Sequence, residues 1–109
     1  MPNQAEKNLY RQFERWLDTL EYCRYKKLKG GLTQRNEPDY IVIIRNRAIL
    51  LEFKKSGADI RESQTKRLNW WAKACRAAWC DNLEAAKRIV LEEERIAIKL
   101  YEIEQAMYE

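Results

Sequence analysis

Apolar side chains at Leu9, Phe13, Trp16, Leu17 and Leu20 recur at steps of three and four, which predicts an amphipathic helix over 5–22 with one buried stripe. Residues 23–28 alternate loosely and fit either an extension of the helix or, the favoured reading, a short first strand, which Gly30-Gly31 must end. Pro38 biases Glu37 towards an extended conformation. Stretches 39–45 and 48–54 are rich in Ile, Val and Leu on both faces, with the polar pair Asn46-Arg47 between them, and so predict a hairpin buried in a sheet. Ser56-Gly57-Ala58-Asp59 breaks that pattern, after which Leu68, Trp71, Ala72 and Cys75 restore helical spacing over 61–76. A short strand over 77–80 follows. Asp81 and Glu84 then stand at capping-box separation before a last helix over about 82–108. The order α-β-β-β-α-β-α predicts an α/β fold, a mixed sheet with flanking helices and a C-terminal helix.

The chain has 109 residues, enough for a single domain and one core. No repeat or linker interrupts it. Histidine is absent, which excludes Ser-His and Cys-His nucleophile pairs, His-ligated zinc and a histidine general base, so any chemistry falls to carboxylates and lysines. Cys23, Cys75 and Cys80 are an odd number without CxxC spacing, which predicts free thiols in a reducing compartment. The longest apolar stretch, 40–44, is far too short to span a bilayer, and the polar start resembles no signal peptide, so the expected location is the cytoplasm. Net charge is +4, unevenly spread: 17 Lys/Arg against 10 Asp/Glu over 1–81, and 4 against 7 over 82–109. A polyanion would dock on the first part.

Strands as apolar as 39–45 and 48–54 should exclude Asp39, Glu52 and Lys54 unless those groups are useful or lie at strand ends. A turn centred on Asn46-Arg47 would set Asp39 opposite Lys54 and Ile41 opposite Glu52. All three charged groups would then project from one face within about 8 Å of each other. Two carboxylates that close repel unless a cation lies between them, and their oxygens suit Mg²⁺. A lysine beside them can orient a water or offset charge on a phosphate in displacement. The plainer alternative is a strand-starting Asp with a same-face Glu-Lys ion pair.

Pro38-Asp39, then Glu52-Phe53-Lys54, then Gln64 opening the next helix resembles the PD-(D/E)xK nuclease superfamily, specifically a stand-alone VRR-NUC domain of phage or bacterial type, over about residues 5–90. The resemblance implies an αβββαβ core of restriction-endonuclease type and a metal-dependent deoxyribonuclease. It implies Asp39 and Glu52 as ligands of Mg²⁺ or Mn²⁺, Lys54 acting on the attacking water, Gln64 supporting the site, and a first-helix acid as a further ligand. Glu6 fills that last role ahead of the alternative, Glu14. Relatives imply branched or four-way (Holliday) junction DNA as substrate and, for a phage protein, the host cytoplasm as location. Glu37 departs from the pattern, since relatives commonly carry a small residue before Pro-Asp. The alternative reading is a catalytically idle nucleic-acid-binding or dimeric assembly module that keeps the fold.

Lys26, Lys27, Lys29, Arg35, Lys55, Arg61, Lys66 and Arg67 flank this constellation and are the candidate phosphate contacts. Of the tryptophans behind it, Trp71 and Trp79 are expected in the core and Trp70 at the surface. Ile89, Ile96, Leu100, Ile103 and Met107 make an apolar stripe longer than so small a domain can cover. That stripe predicts a homodimer.

Overall fold

The computed structural model describes residues 4–28, 37–54 and 61–108. Its elements run α1 (Gln4–Leu17), β1 (Cys23–Lys27), β2 (Tyr40–Ile44), β3 (Arg47–Phe53), α2 (Glu62–Ala72), β4 (Arg76–Cys80) and α3 (Leu83–Met107), the predicted order. The four strands form one mixed sheet in sequence order, antiparallel from β1 to β3, with β4 parallel to β3. The parallel step needs a crossover, and α2 supplies it.

One face of the sheet carries Tyr40, Val42, Ile44, Ile49, Leu51, Phe53 and Cys80, and these pack with Phe13 and Leu17 of α1 and Ala86, Ile89 and Val90 of α3. The opposite face is partly covered by α2, where Leu68 and Gln64 are buried. The central strand β3 is therefore buried on both faces from Ile49 to Phe53, which is why it reads as a continuous apolar run.

Several boundaries differ from the sequence expectation, among them the end of α2, which stops at Ala72 and leaves Arg76 to begin β4. Helix α1 stops at Leu17, short of residue 22, because the Thr19 hydroxyl donates to the Trp16 carbonyl at 2.6 Å and competes with the helical pattern. The cap of α3 is Asn82, not Asp81: its Oδ1 accepts from the Ala85 amide at 2.7 Å. The hairpin turns at Arg45-Asn46, both at positive φ (47° and 71°), not at Asn46-Arg47. Two consecutive positive φ angles match the twist of a tight hairpin, and asparagine tolerates them. Arginine does so less readily. Arg45 is held there by its amide donating to the Tyr22 carbonyl at 2.9 Å, by its guanidinium 4.5 Å from the Tyr22 ring, and by Nε 3.3 Å from Glu94.

Acidic residues of α3 fasten that end of the sheet. Glu93, only 4% exposed, accepts from Arg47 Nε at 3.0 Å and Arg76 Nη1 at 3.3 Å, while Arg76 Nη2 also reaches Glu92 at 3.2 Å. Replacing Glu93 by Ala leaves two arginines facing apolar packing without their shared acceptor. The expected loss is about 2 kcal/mol, below the usual cost of a fully buried pair because both arginines are partly solvated. Urea unfolding would measure it, and a change under 0.5 kcal/mol, on the order of an ordinary surface substitution, would contradict this account.

Beyond Glu93, α3 runs out past the sheet. Ile96, Leu100, Tyr101, Ile103 and Met107 are 41–76% exposed, so the distal stripe does not fold back onto its own domain. Among the described residues, no helix is long and apolar enough to cross a membrane. Cys23, Cys75 and Cys80 are all free thiols.

Candidate active site

The observed register pairs Tyr40 with Leu51 and Ile41 with Leu50, one pair away from the expected alignment. Continued by one step, it sets Asp39 beside Glu52 instead of Lys54. The correction leaves the faces intact, because moving a strand against its partner by two residues preserves the alternation of side chains. Asp39, Glu52 and Lys54 therefore still share the face covered by α2.

Each of the three is tied down. Asp39 Oδ2 accepts from the Phe53 amide at 2.8 Å, and the Asp39 carbonyl accepts from the Leu28 amide at 2.8 Å, so the residue closes the end of the sheet from both sides. Glu52 is 5% exposed on the central strand, with Oε1 3.6 Å from Lys54 Nζ and 3.4 Å from Gln64 Nε2. The Lys54 amide donates to the Cys80 carbonyl at 2.8 Å, which anchors the backbone beneath its side chain. Gln64 is bivalent. Its Oε1 accepts from Lys54 Nζ and from the Arg61 amide at the start of α2, while its Nε2 donates to Glu52. An amide has one accepting and one donating end, so lysine on one side and carboxylate on the other orient it.

Burial raises the pKa of both carboxylates. Glu52 is pushed up to about 7, first by desolvation and then by the Asp39 charge, with Lys54 and Arg61 opposing. Asp39 is raised mainly by desolvation, against the Phe53 hydrogen bond and the charges of Lys54 and Lys27. Two acids that resist ionisation side by side form a place where a cation would be stabilised. The donor set suits a hard divalent ion, since it consists of carboxylate oxygens. Among the described residues, no three His, Cys, Asp or Glu side chains gather closely enough to enclose an ion. An ion held by Asp39 and Glu52 would complete its shell from water and phosphate oxygens, the usual habit of Mg²⁺.

The two first-helix acids part company. Glu6 exerts its charge on both Asp39 and Tyr10, which brings the start of α1 within electrostatic range of the carboxylates. Glu14 Oε2 lies 2.5 Å from the hydroxyl of Tyr40, a residue of the opposite, core-facing side of the sheet.

The basic candidates divide as well. Lys26 projects, by its pairing with Ile41, from the face that carries Asp39. Lys27 projects from the other and sits 3.9 Å over the Tyr10 ring. Arg61 acts on Glu52 from the start of α2. Lys66 pairs with Glu62 at 3.2 Å in open solvent, and Arg67 with Glu37 at 3.1 Å. Lys29, Arg35 and Lys55 lie outside the described residues.

Sequence reasoning missed two contributors. Tyr10 lies one helical turn after Glu6, and its hydroxyl is kept protonated by burial and by Asp39, Glu6 and Glu52; the i, i+4 spacing from Glu6 was its available signal. Glu37, the departure from the family pattern, bonds Trp71 Nε1 at 3.0 Å as well as Arg67 and so straps the Pro38-Asp39 segment to α2. Its partners lie about 30 residues away, and no local pattern announces them. Trp79 also corrects the expectation: it is 48% exposed, because β4 is an edge strand, not a buried one.

No protein-family model matches this chain, and no curated protein does. A solved structure described as a VRR_NUC domain protein is similar to it, with a TM-score of 0.64 at 15% identity over 84% of this chain and 89% of the other. At that identity the likeness is one of fold: the described residues, an α/β arrangement of four mixed strands and three helices, have a VRR-NUC-like architecture.

Proposed function

We propose that the protein is a divalent-metal-dependent endonuclease that hydrolyses phosphodiester bonds of DNA, of the stand-alone VRR-NUC kind within the PD-(D/E)xK superfamily. The observation that carries this reading is the cluster of Asp39, Glu52, Lys54 and Gln64. Two desolvated carboxylates and a lysine meet at the end of a central strand, the Gln64 amide holding Glu52 and Lys54 and the Phe53 backbone amide holding Asp39, on a fold similar to a VRR_NUC domain protein. A purely structural ion pair needs neither the second acid nor the burial, which by itself costs stability.

Mg²⁺ or Mn²⁺, held by Asp39 and Glu52 with Glu6 adding negative potential, would polarise the phosphate and lower the pKa of a bound water. The chain's own groups do the rest. Gln64 keeps the Lys54 ammonium directed beside Glu52, where it can orient the attacking water and offset charge that develops on the phosphate. Arg61 and Lys26 supply positive charge for the flanking phosphates. Branched or four-way junction DNA is the substrate this family resemblance favours, and a homodimer is the form that would cut both strands of such a junction.

Labelled linear, nicked, flapped and four-way DNA, each incubated with Mg²⁺ or with EDTA, tests the proposal. Cleavage should require the metal. Binding measured with EDTA present should weaken steeply as salt rises, by about a decade per two phosphate contacts between 50 and 200 mM. Binding without cleavage under any divalent ion would favour the idle module instead.

A further inference from the structure

Three of the four tryptophans have engaged rings. Trp16 stacks on Phe13 at 6.3 Å between centroids, Trp71 donates to Glu37, and Trp70 lies edge-on to Trp71 at 5.0 Å with the Arg67 guanidinium 5.1 Å from its ring. Trp79 has no ring, cation or hydrogen-bond partner among the described residues and is 48% exposed. Its position in the sheet matters. In the parallel ladder Trp79 is the partner of Glu52, and paired residues point to the same face. The neighbouring Cys80 belongs to the core on the opposite side, which fixes the alternation. An open indole therefore stands one strand away from the buried carboxylate, a separation of about 4.8 Å between backbones and within the reach of one nucleotide. Lys54 and Arg61 provide positive charge around the same carboxylate.

We propose that Trp79 is a stacking platform for an unpaired nucleobase next to the phosphodiester attacked at Asp39 and Glu52. The inference rests on the nuclease reading and adds to it a residue that recognises unpaired structure. A base inside continuous duplex is stacked on its neighbours and cannot meet the indole, whereas a base at a gap, a flap or a junction crossover can. Base stacking on aromatic side chains is tolerant of sequence, so Trp79 would select for unpaired structure and not for a particular base.

The test uses the full chain with Glu52→Gln as a cleavage-silent background, in Mg²⁺, comparing Trp79, Trp79→Phe and Trp79→Ala. The probes are a ten-nucleotide oligothymidylate, a one-nucleotide gapped duplex and a continuous duplex. Trp79→Ala should weaken binding of the first two by about 5- to 100-fold, with the phenylalanine variant intermediate, and change continuous-duplex binding less than about twofold. Oligothymidylate should quench tryptophan fluorescence, and the difference between Trp79 and Trp79→Phe isolates the contribution of this ring. Equal losses on all three probes, or none, would overturn the stacking role while leaving the nuclease reading in place. An absence of binding to every probe even with Trp79 present would overturn both. If Trp79→Ala instead turns a dimer into a monomer in light scattering, the indole serves an interface between copies and the proposal is wrong.

Discussion

Glu52→Gln is expected to remove metal-dependent cleavage and, in the same molecule, to stabilise the metal-free fold at pH 8. On the proposed metal-site reading, the first effect follows from loss of a ligand charge without change of shape. A bound metal supplies several kcal/mol of transition-state stabilisation, so the loss should be at least about a thousandfold. The second effect follows from burial. Glu52 titrates at about 7 in the folded protein against an ordinary 4.5, so between those values the folded state binds more protons than the unfolded one. Stability contributed by this group is present below about pH 4.5 and falls as pH rises to about 7, and Asp39, also raised, acts in the same direction. A neutral glutamine has no such dependence. The variant should therefore match the native chain near pH 4 and exceed it at pH 8 by on the order of 2 kcal/mol, several degrees in Tm. Mg²⁺ should raise the Tm of the native chain at pH 8 and leave the variant where it was, since only the former gains a ligand for the folded state. Thermal melts at the two pH values, with and without Mg²⁺, read all of this. A variant less stable than the native chain at pH 8 without metal would mark Glu52 as a structural ion-pair partner of Lys54.

Ile96→Lys combined with Leu100→Lys is expected to convert a homodimer into a monomer and to abolish paired cuts in a four-way junction. Past Glu93 the helix extends for 14 residues to Met107, about 21 Å of length, and its apolar side chains stay open. Water disfavours that surface, and a second copy of the same helix presents a self-complementary stripe about a two-fold axis. Tyr22, Ile43 and Arg45 at the hairpin end line a groove with Leu100 and Tyr101, so the open surface continues from the helix onto the sheet. One small domain with one site cuts one strand; two strands of a symmetric junction call for two sites related by symmetry. Dimerisation and junction resolution should therefore fail together, with single-strand nicking retained because the cluster at Asp39 and Glu52 is untouched. Light scattering and a junction cleavage assay decide it. A monomeric native chain, or a monomeric variant that still makes paired cuts, would break the coupling.

What the residues alone determined about this protein are its periodicities. Steps of three and four at Leu9, Phe13 and Leu17 specify a helix face whatever it packs on, and the apolar runs around Asp39 and Glu52 specify buried strands. Because side chains alternate strictly along a strand, Asp39, Glu52 and Lys54 could be assigned to one face even with the turn misplaced by one residue. Gln64 was legible through its motif, and its place at the first turn of α2 gives it reach to Lys54. Tertiary structure decided the matters that depend on distant partners. The register follows from a left-handed Arg45, stabilised by Glu94 from 49 residues away. Glu37 became a strap because α2 brings Arg67 and Trp71 to it. Trp79 is open because β4 ends the sheet, and strand order leaves no periodic trace in the chain. Glu6 acts by its charge on Asp39 while Glu14 turns to Tyr40, a difference between two acids two turns apart that the docking of the helix sets. Local spacing tells which groups point together; the packing of elements far apart in sequence tells which groups meet.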